Sequence, residues 1–146
     1  MPERLKARLL TAVWGERYVR EFAQVSLPSY LSAGNIPELA DNVDLEVVIL
    51  TTGSSVHAFR NEPAFLRLQS LCHSRFLLID DLITTGNYGV ILTLAYARGI
   101  IDAGADQLNT WFIFMNSDFV LADGGMKNLI PILGTDHHAI MSASLR

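Results

Sequence analysis

Short apolar runs of strand length, at residues 9–14, 45–51, 75–80, 110–115 and 139–144, recur along the chain with helical stretches between them. Several of these runs are apolar on both faces. A strand that must hide both faces needs cover above and below, which a parallel sheet receives from its own crossover helices. The pattern therefore predicts an α/β fold, a mainly parallel sheet of about five strands sandwiched between two helical layers.

The intervening stretches fit that frame. Tyr18, Phe22 and Val25 fall at i, i+4 and i+7, the spacing of one helix face, and Pro28 is expected to kink or end that helix. A loop, residues 32–37, follows. A second helix opens near Asn61, with Pro63 tolerated in its first turn, and should bury Phe65, Leu68 and Leu71. A third, residues 88–103, is apolar almost all round and is expected at the centre of the packing, with Gly104 as its cap. A last short helix around residues 126–133 contains Pro131. No repeat, linker or low-complexity segment divides the chain, so residues 1–146 read as one domain. The apolar run at 139–144 has no helix after it to cover it, which reads as a fragment of a longer chain or a surface for self-association.

Composition narrows the partners. With a formal net charge of −4, the chain lacks the basic field that draws nucleic acid or an anionic membrane. Its single cysteine, Cys72, cannot form an internal bridge, and there is no zinc-type spacing of cysteine and histidine. No apolar run is long enough for a signal peptide or a membrane span, so the expected compartment is the cytoplasm.

Parallel sheets bind ligands beyond the carboxyl ends of their strands, where loops and helix N-termini present unpaired N–H groups. The residues at those places are Trp14-Gly15-Glu16, Thr51-Thr52, Asp80-Asp81 with Thr84-Thr85-Gly86, Asn116-Ser117-Asp118, and Asp123-Gly124. They are rich in carboxylates, hydroxyls and glycine, which suits a phosphorylated ligand with or without a metal ion. Each also has a plain structural reading. Asp80-Asp81 can start a turn, Thr84-Thr85 can cap the next helix, and Asn116-Ser117-Asp118 is ordinary turn chemistry. Trp111 sits within an apolar strand and reads as core. Adjacent His137 and His138 would point to opposite faces of a strand and cannot share an ion.

Two resemblances bear on function. The string Phe76-Leu77-Leu78-Ile79-Asp80-Asp81-Leu82-Ile83-Thr84-Thr85-Gly86 looks like the phosphoribosyl pyrophosphate loop of phosphoribosyltransferases, although Tyr88 stands where those enzymes place a small hydroxyl residue. The other resemblance covers residues 9–146 in order. It rests on residues 11–18 (Thr-Ala-Val-Trp-Gly-Glu-Arg-Tyr), residues 26–37 with Pro28, Gly34, Asn35 and Pro37, Leu50-Thr51-Thr52, Asp118, and Ala122-Asp123-Gly124. Together these resemble the nucleotide-diphospho-sugar transferase superfamily, the GT-A type glycosyltransferases.

That resemblance implies a Rossmann-like, nucleotide-binding N-terminal half. It implies that Trp14, Gly15, Glu16, Thr51 and Thr52 face the base and ribose, and that Asp118 matches the acidic motif holding a magnesium or manganese ion against the diphosphate. The motif is incomplete, since Asn116 and Val120 stand where acids are usual. An acceptor-side catalytic base would lie further along than Arg146. The expected partner is a nucleoside diphosphate sugar, with phosphoribosyl pyrophosphate, or a non-catalytic nucleotide-binding or assembly role, as the alternatives.

Overall fold

The structure, a computed structural model, describes residues 3–142. Four strands form the sheet: β1 (Lys6–Ala12), β2 (Asp44–Thr51), β3 (His73–Leu78) and β4 (Thr110–Phe114), in the order β3-β2-β1-β4. Every neighbouring pair is parallel, with Leu9 opposite both Val47 and Ile113. The α/β architecture and its parallel sheet are as the apolar runs predicted, but the described sheet has four strands rather than about five. Residues 139–142 form no strand, and the remainder of that run lies outside the described residues.

The alternation of β1 and β2 explains the layers. Leu9, Val47 and Ile49 point to one side, into the larger core with Val19, Phe22, Leu27, Tyr30, Leu39, Phe59, Phe65 and Leu68. Leu10, Ala12, Val48 and Leu50 point to the other, against Ala95 and Ile79. The first layer is built from α1 (Glu16–Glu21), α2 (Leu27–Tyr30), α3 (Ile36–Asn42), α4 (Val56–Phe59), α5 (Pro63–Leu71) and α7 (Gly125–Leu133). The second is α6 (Tyr88–Ile101), the crossover from β3 to β4. The result is Rossmann-like: helices on both faces of a parallel sheet.

Three expectations are corrected in detail. Of the two outcomes expected at Pro28, the helix does not end but is distorted: α1 runs through a wider π turn at Phe22–Ser26 into α2, and the face it buries is not the one expected. Proline has no N–H and crowds the carbonyl four residues back, and local widening relieves both problems. The buried face is Val19, Phe22, Ala23, Ser26, Leu27 and Tyr30, whereas Tyr18 and Val25 are exposed. Second, α6 is not enclosed. Ile91, Ala95 and Gly99 meet the sheet, while Val90, Leu94 and Ile101 face outward. Third, β1 stops at Ala12 and β3 at Leu78, so Trp14 lies in the loop past one strand end and Asp80 opens a short 3-10 turn, Asp80–Leu82, past the other. The second helix, by contrast, starts at Pro63 and buries Phe65 and Leu68 as expected, and Gly104 takes a φ of 58° just past α6.

An ion-pair ring ties the second layer down. Arg8, 8% exposed, reaches Glu46 on β2 and Asp102 after α6 at 2.8 Å each and also donates to the Gly99 carbonyl. Arg75 on β3 bridges the same two carboxylates. Two cations and two anions thus alternate across three strands and a helix end, each offsetting the desolvation of its neighbours. No described helix is long and apolar enough to cross a membrane.

Candidate functional site

All the strand-end residues singled out in the sequence come to one edge of the sheet, because the strands are parallel. The strand order changes direction at β1, between β2 and β4, which is where open α/β sheets form a ligand crevice. The loops after these strands differ in what their polar groups already do.

The β1 and β2 loops are knitted to each other. Val13 N–H donates to the Leu50 carbonyl at 3.0 Å, prolonging the strand pairing. Gly15, at φ 87°, turns the chain into α1 and donates its N–H to Ser55 Oγ, which lies 2.6 Å from Thr52 Oγ1. Thr52 therefore fixes the turn through Ser55. Thr51 is fully buried, and its hydroxyl has no hydrogen-bond partner among the described residues. Glu16 is exposed and pairs with Arg20 one turn on. Trp14 is half-buried and stacks on Tyr88, with ring centroids 5.9 Å apart and planes 18° from parallel.

The β3 loop carries acids that already have partners. Asp80 accepts the Gly53 N–H, at 3.0 Å to one carboxylate oxygen and 3.2 Å to the other. Asp81 takes a two-pronged pair from Arg98 at 2.6 Å per contact, and that guanidinium holds its carboxyl below the usual range. Arg98 also donates to the Leu78 carbonyl, so the pair pins α6 to the end of β3. Thr84, Thr85 and Gly86 are exposed, and Gly86 has a φ of 93° with open space where a side chain would stand.

The β4 loop is held from behind and bare in front. Met115 N–H donates to the Leu10 carbonyl. Tyr96 on α6 donates its hydroxyl to the Met115 carbonyl at 3.1 Å, and Tyr30 on α2 donates to the Asn116 carbonyl at 2.6 Å. Burial, then the nearby Asp118 carboxylate, push the Tyr96 phenol above its ordinary range; burial, then Tyr96 and Asp118, do the same for Tyr30. Asp118 is exposed and makes no hydrogen bond or ion pair among the described residues. The sequence reading missed both tyrosines: Tyr30 lay beyond the expected helix break, and Tyr96 within an apolar helix.

Beyond Asp118 the chain is buckled back onto the first layer. Asn35, fully buried, donates through Nδ2 to the Ser29 and Ala122 carbonyls and accepts the Met126 N–H at Oδ1. Gly34 donates its N–H to Asp123 and accepts from Lys127 N–H, while Ser29 Oγ accepts the Leu121 N–H. A Cβ on Gly34 would sit 2.7 Å from the Gly124 nitrogen, so only glycine permits this approach. Asp123 and Gly124, candidates by position, serve the buckle.

A separate hollow at the opposite edge is walled by Lys6, Arg8, Asp44, Glu46, His73 and Asp106. Lys6 pairs with Asp106, and Arg8 and His73 with Glu46. Asp44 there is also without a partner among the described residues, but only the carboxyl edge joins an unpaired carboxylate, Asp118, to the change in strand order and the aromatic pair, and we take it as the candidate site. No family model, curated protein or solved structure matches the chain.

Proposed function

We propose that this chain is the nucleotide-binding half of a GT-A type glycosyltransferase and binds a nucleoside diphosphate sugar along the carboxyl edge of its sheet. One observation carries the reading. Of the acids singled out at the strand ends, Asp118 alone has no partner among the described residues, and it lies on the β4 loop beside the change in strand order. The chemistry then follows from charge. A diphosphate leaving group needs charge compensation, which a magnesium or manganese ion held by one or two carboxylates together with the ligand's own phosphates would supply. Asp118 would hold that ion, with Asn116 beside it. Tyr30 and Tyr96 contribute by fixing the backbone from which Asp118 projects. Trp14 and Gly15 in the loop after β1 would meet the nucleoside. Transfer itself relies on electrostatic stabilisation of the departing diphosphate, with no covalent intermediate on this chain.

The phosphoribosyl reading asks Asp80 and Asp81 to bind ribose hydroxyls, yet both already serve Gly53 and Arg98. Calorimetric titration with UDP, GDP, their sugar conjugates and phosphoribosyl pyrophosphate, each with magnesium, manganese or chelator, tests the choice. Cation-dependent binding of a nucleoside diphosphate or its sugar is the expected outcome. Binding of phosphoribosyl pyrophosphate alone would overturn it, and silence from every ligand would leave an assembly role.

A further inference from the structure

Trp14 and Tyr88 come from distant parts of the chain and meet at the carboxyl edge as nearly parallel rings. Their surroundings are unequal. Trp14 packs against the smaller core formed with Ala12, Leu50, Ile79, Leu77 and Leu82, so one part of the indole is anchored. Tyr88 is the first residue of α6 and remains 64% exposed. It follows the exposed run Thr84 to Asn87, and neither Gly86 nor Gly89 has any atom within 4 Å of where a side chain would be. Its hydroxyl has no hydrogen-bond partner among the described residues, in contrast to Tyr30 and Tyr96.

A ring so exposed gains little from hydrophobic burial, and among the described residues Trp14 is the one aromatic ring it stacks on. The contact lies in the loop after β1, the strand at which the order of the sheet changes direction. Stacked side chains prefer an offset arrangement with centroids 4.5–7 Å apart, and at 5.9 Å the two rings lie against each other, so a base enters between them only if Tyr88 swings away from Trp14. Tyrosine can make that swing without disturbing the buried turn of α6, which begins at Ile91.

We infer that Trp14 and Tyr88 form a clamp for the heterocyclic base of the nucleotide, Trp14 being the fixed plate and Tyr88 the moving one. The inference rests on the nucleotide reading above and adds to it the residue that closes over the base. It also explains why a bulky ring stands two residues after Gly86, where a phosphate cradle would need a small one.

The test uses the full chain carrying Trp111→Phe, which leaves Trp14 as its sole indole, since the sequence has two tryptophans. UDP and GDP are titrated with manganese while indole emission is followed, and inorganic pyrophosphate is titrated by calorimetry. The clamp predicts saturable quenching of Trp14 by at least one nucleotide. Because a stacked base contributes about 2 kcal/mol and the Trp14–Tyr88 stack given up for it about 1 kcal/mol, Tyr88→Ala should weaken that binding about fivefold. Tyr88→Phe should stay within about threefold of the parent, and pyrophosphate should bind Tyr88→Ala and parent alike. Nucleotide affinity unchanged in Tyr88→Ala, while Asp118→Ala still abolishes it, overturns the clamp and leaves the nucleotide reading standing. Loss of pyrophosphate binding in Tyr88→Ala overturns it as well, because the effect would not then act through the base. Failure of both nucleotides to bind the parent overturns both.

Discussion

Replacing Asn35 by alanine tests whether the loop that carries Asp118 is held by the buckle behind it. The side chain is fully buried and satisfies three backbone groups: the Ser29 and Ala122 carbonyls, at 2.9 and 3.1 Å, and the Met126 N–H at 3.2 Å. A buried hydrogen bond contributes about 1 kcal/mol net, and a group stranded without a partner costs more. Three such bonds give a loss of about 3 kcal/mol for Asn35→Ala. For a chain of this size that lowers the melting temperature by roughly 10 °C. Urea unfolding followed by circular dichroism reads the difference directly, with Asn128→Ala, an exposed position on α7, as a control expected within about 0.5 kcal/mol. A loss below about 1 kcal/mol would refute the reasoning, since it would mean that water or a shifted backbone satisfies the three groups equally well.

Two further predictions concern the frame. Arg8→Ala leaves Arg75 as the one cation that Glu46 and Asp102 share in a half-buried setting and should cost about 2–4 kcal/mol; a melting temperature within 2 °C of the parent would contradict the ion-pair ring. Burial pushes the Cys72 thiol up to about 11, so the folded protein should react slowly with a disulfide reagent at pH 8 and rapidly once unfolded in urea. Since the folded state keeps that proton longer than the unfolded chain, the associated stability is complete below the ordinary thiol value of 9.0. It is lost as pH rises through about 11. Equal labelling rates with and without urea would refute the burial argument.

The parallel sheet was legible because Leu9, Leu10, Val47, Val48, Ile49 and Leu50 leave neither face of β1 and β2 fit for water. Parallel strands then put every strand-end candidate on one edge with no further information. What the sequence did not reveal is which of those residues are committed to each other. Thr52, Asp80, Asp81 and Asp123 are polar residues in loops, and only three dimensions show them bound to Ser55, Gly53, Arg98 and Gly34. Tyr30 was hidden behind Pro28, because the π turn that carries the helix through proline leaves no simple periodic signal. The exposed side of α6 was misjudged for a related reason: an apolar helix announces that it packs, but not on how many sides. Ser29, Gly34, Asn35, Ala122 and Asp123, part of the strings that carry the glycosyltransferase resemblance, do structural work in the buckle.

The most direct measurement is the manganese-dependent affinity of the best-binding nucleoside diphosphate for the parent chain, Asp118→Ala and Thr85→Ala. If Asp118 anchors the cation and diphosphate, Asp118→Ala loses binding at least tenfold together with its manganese dependence, and Thr85→Ala is unchanged. The reverse pattern, with Thr85→Ala impaired and Asp118→Ala intact, would move the phosphate to the loop after β3 and contradict the account.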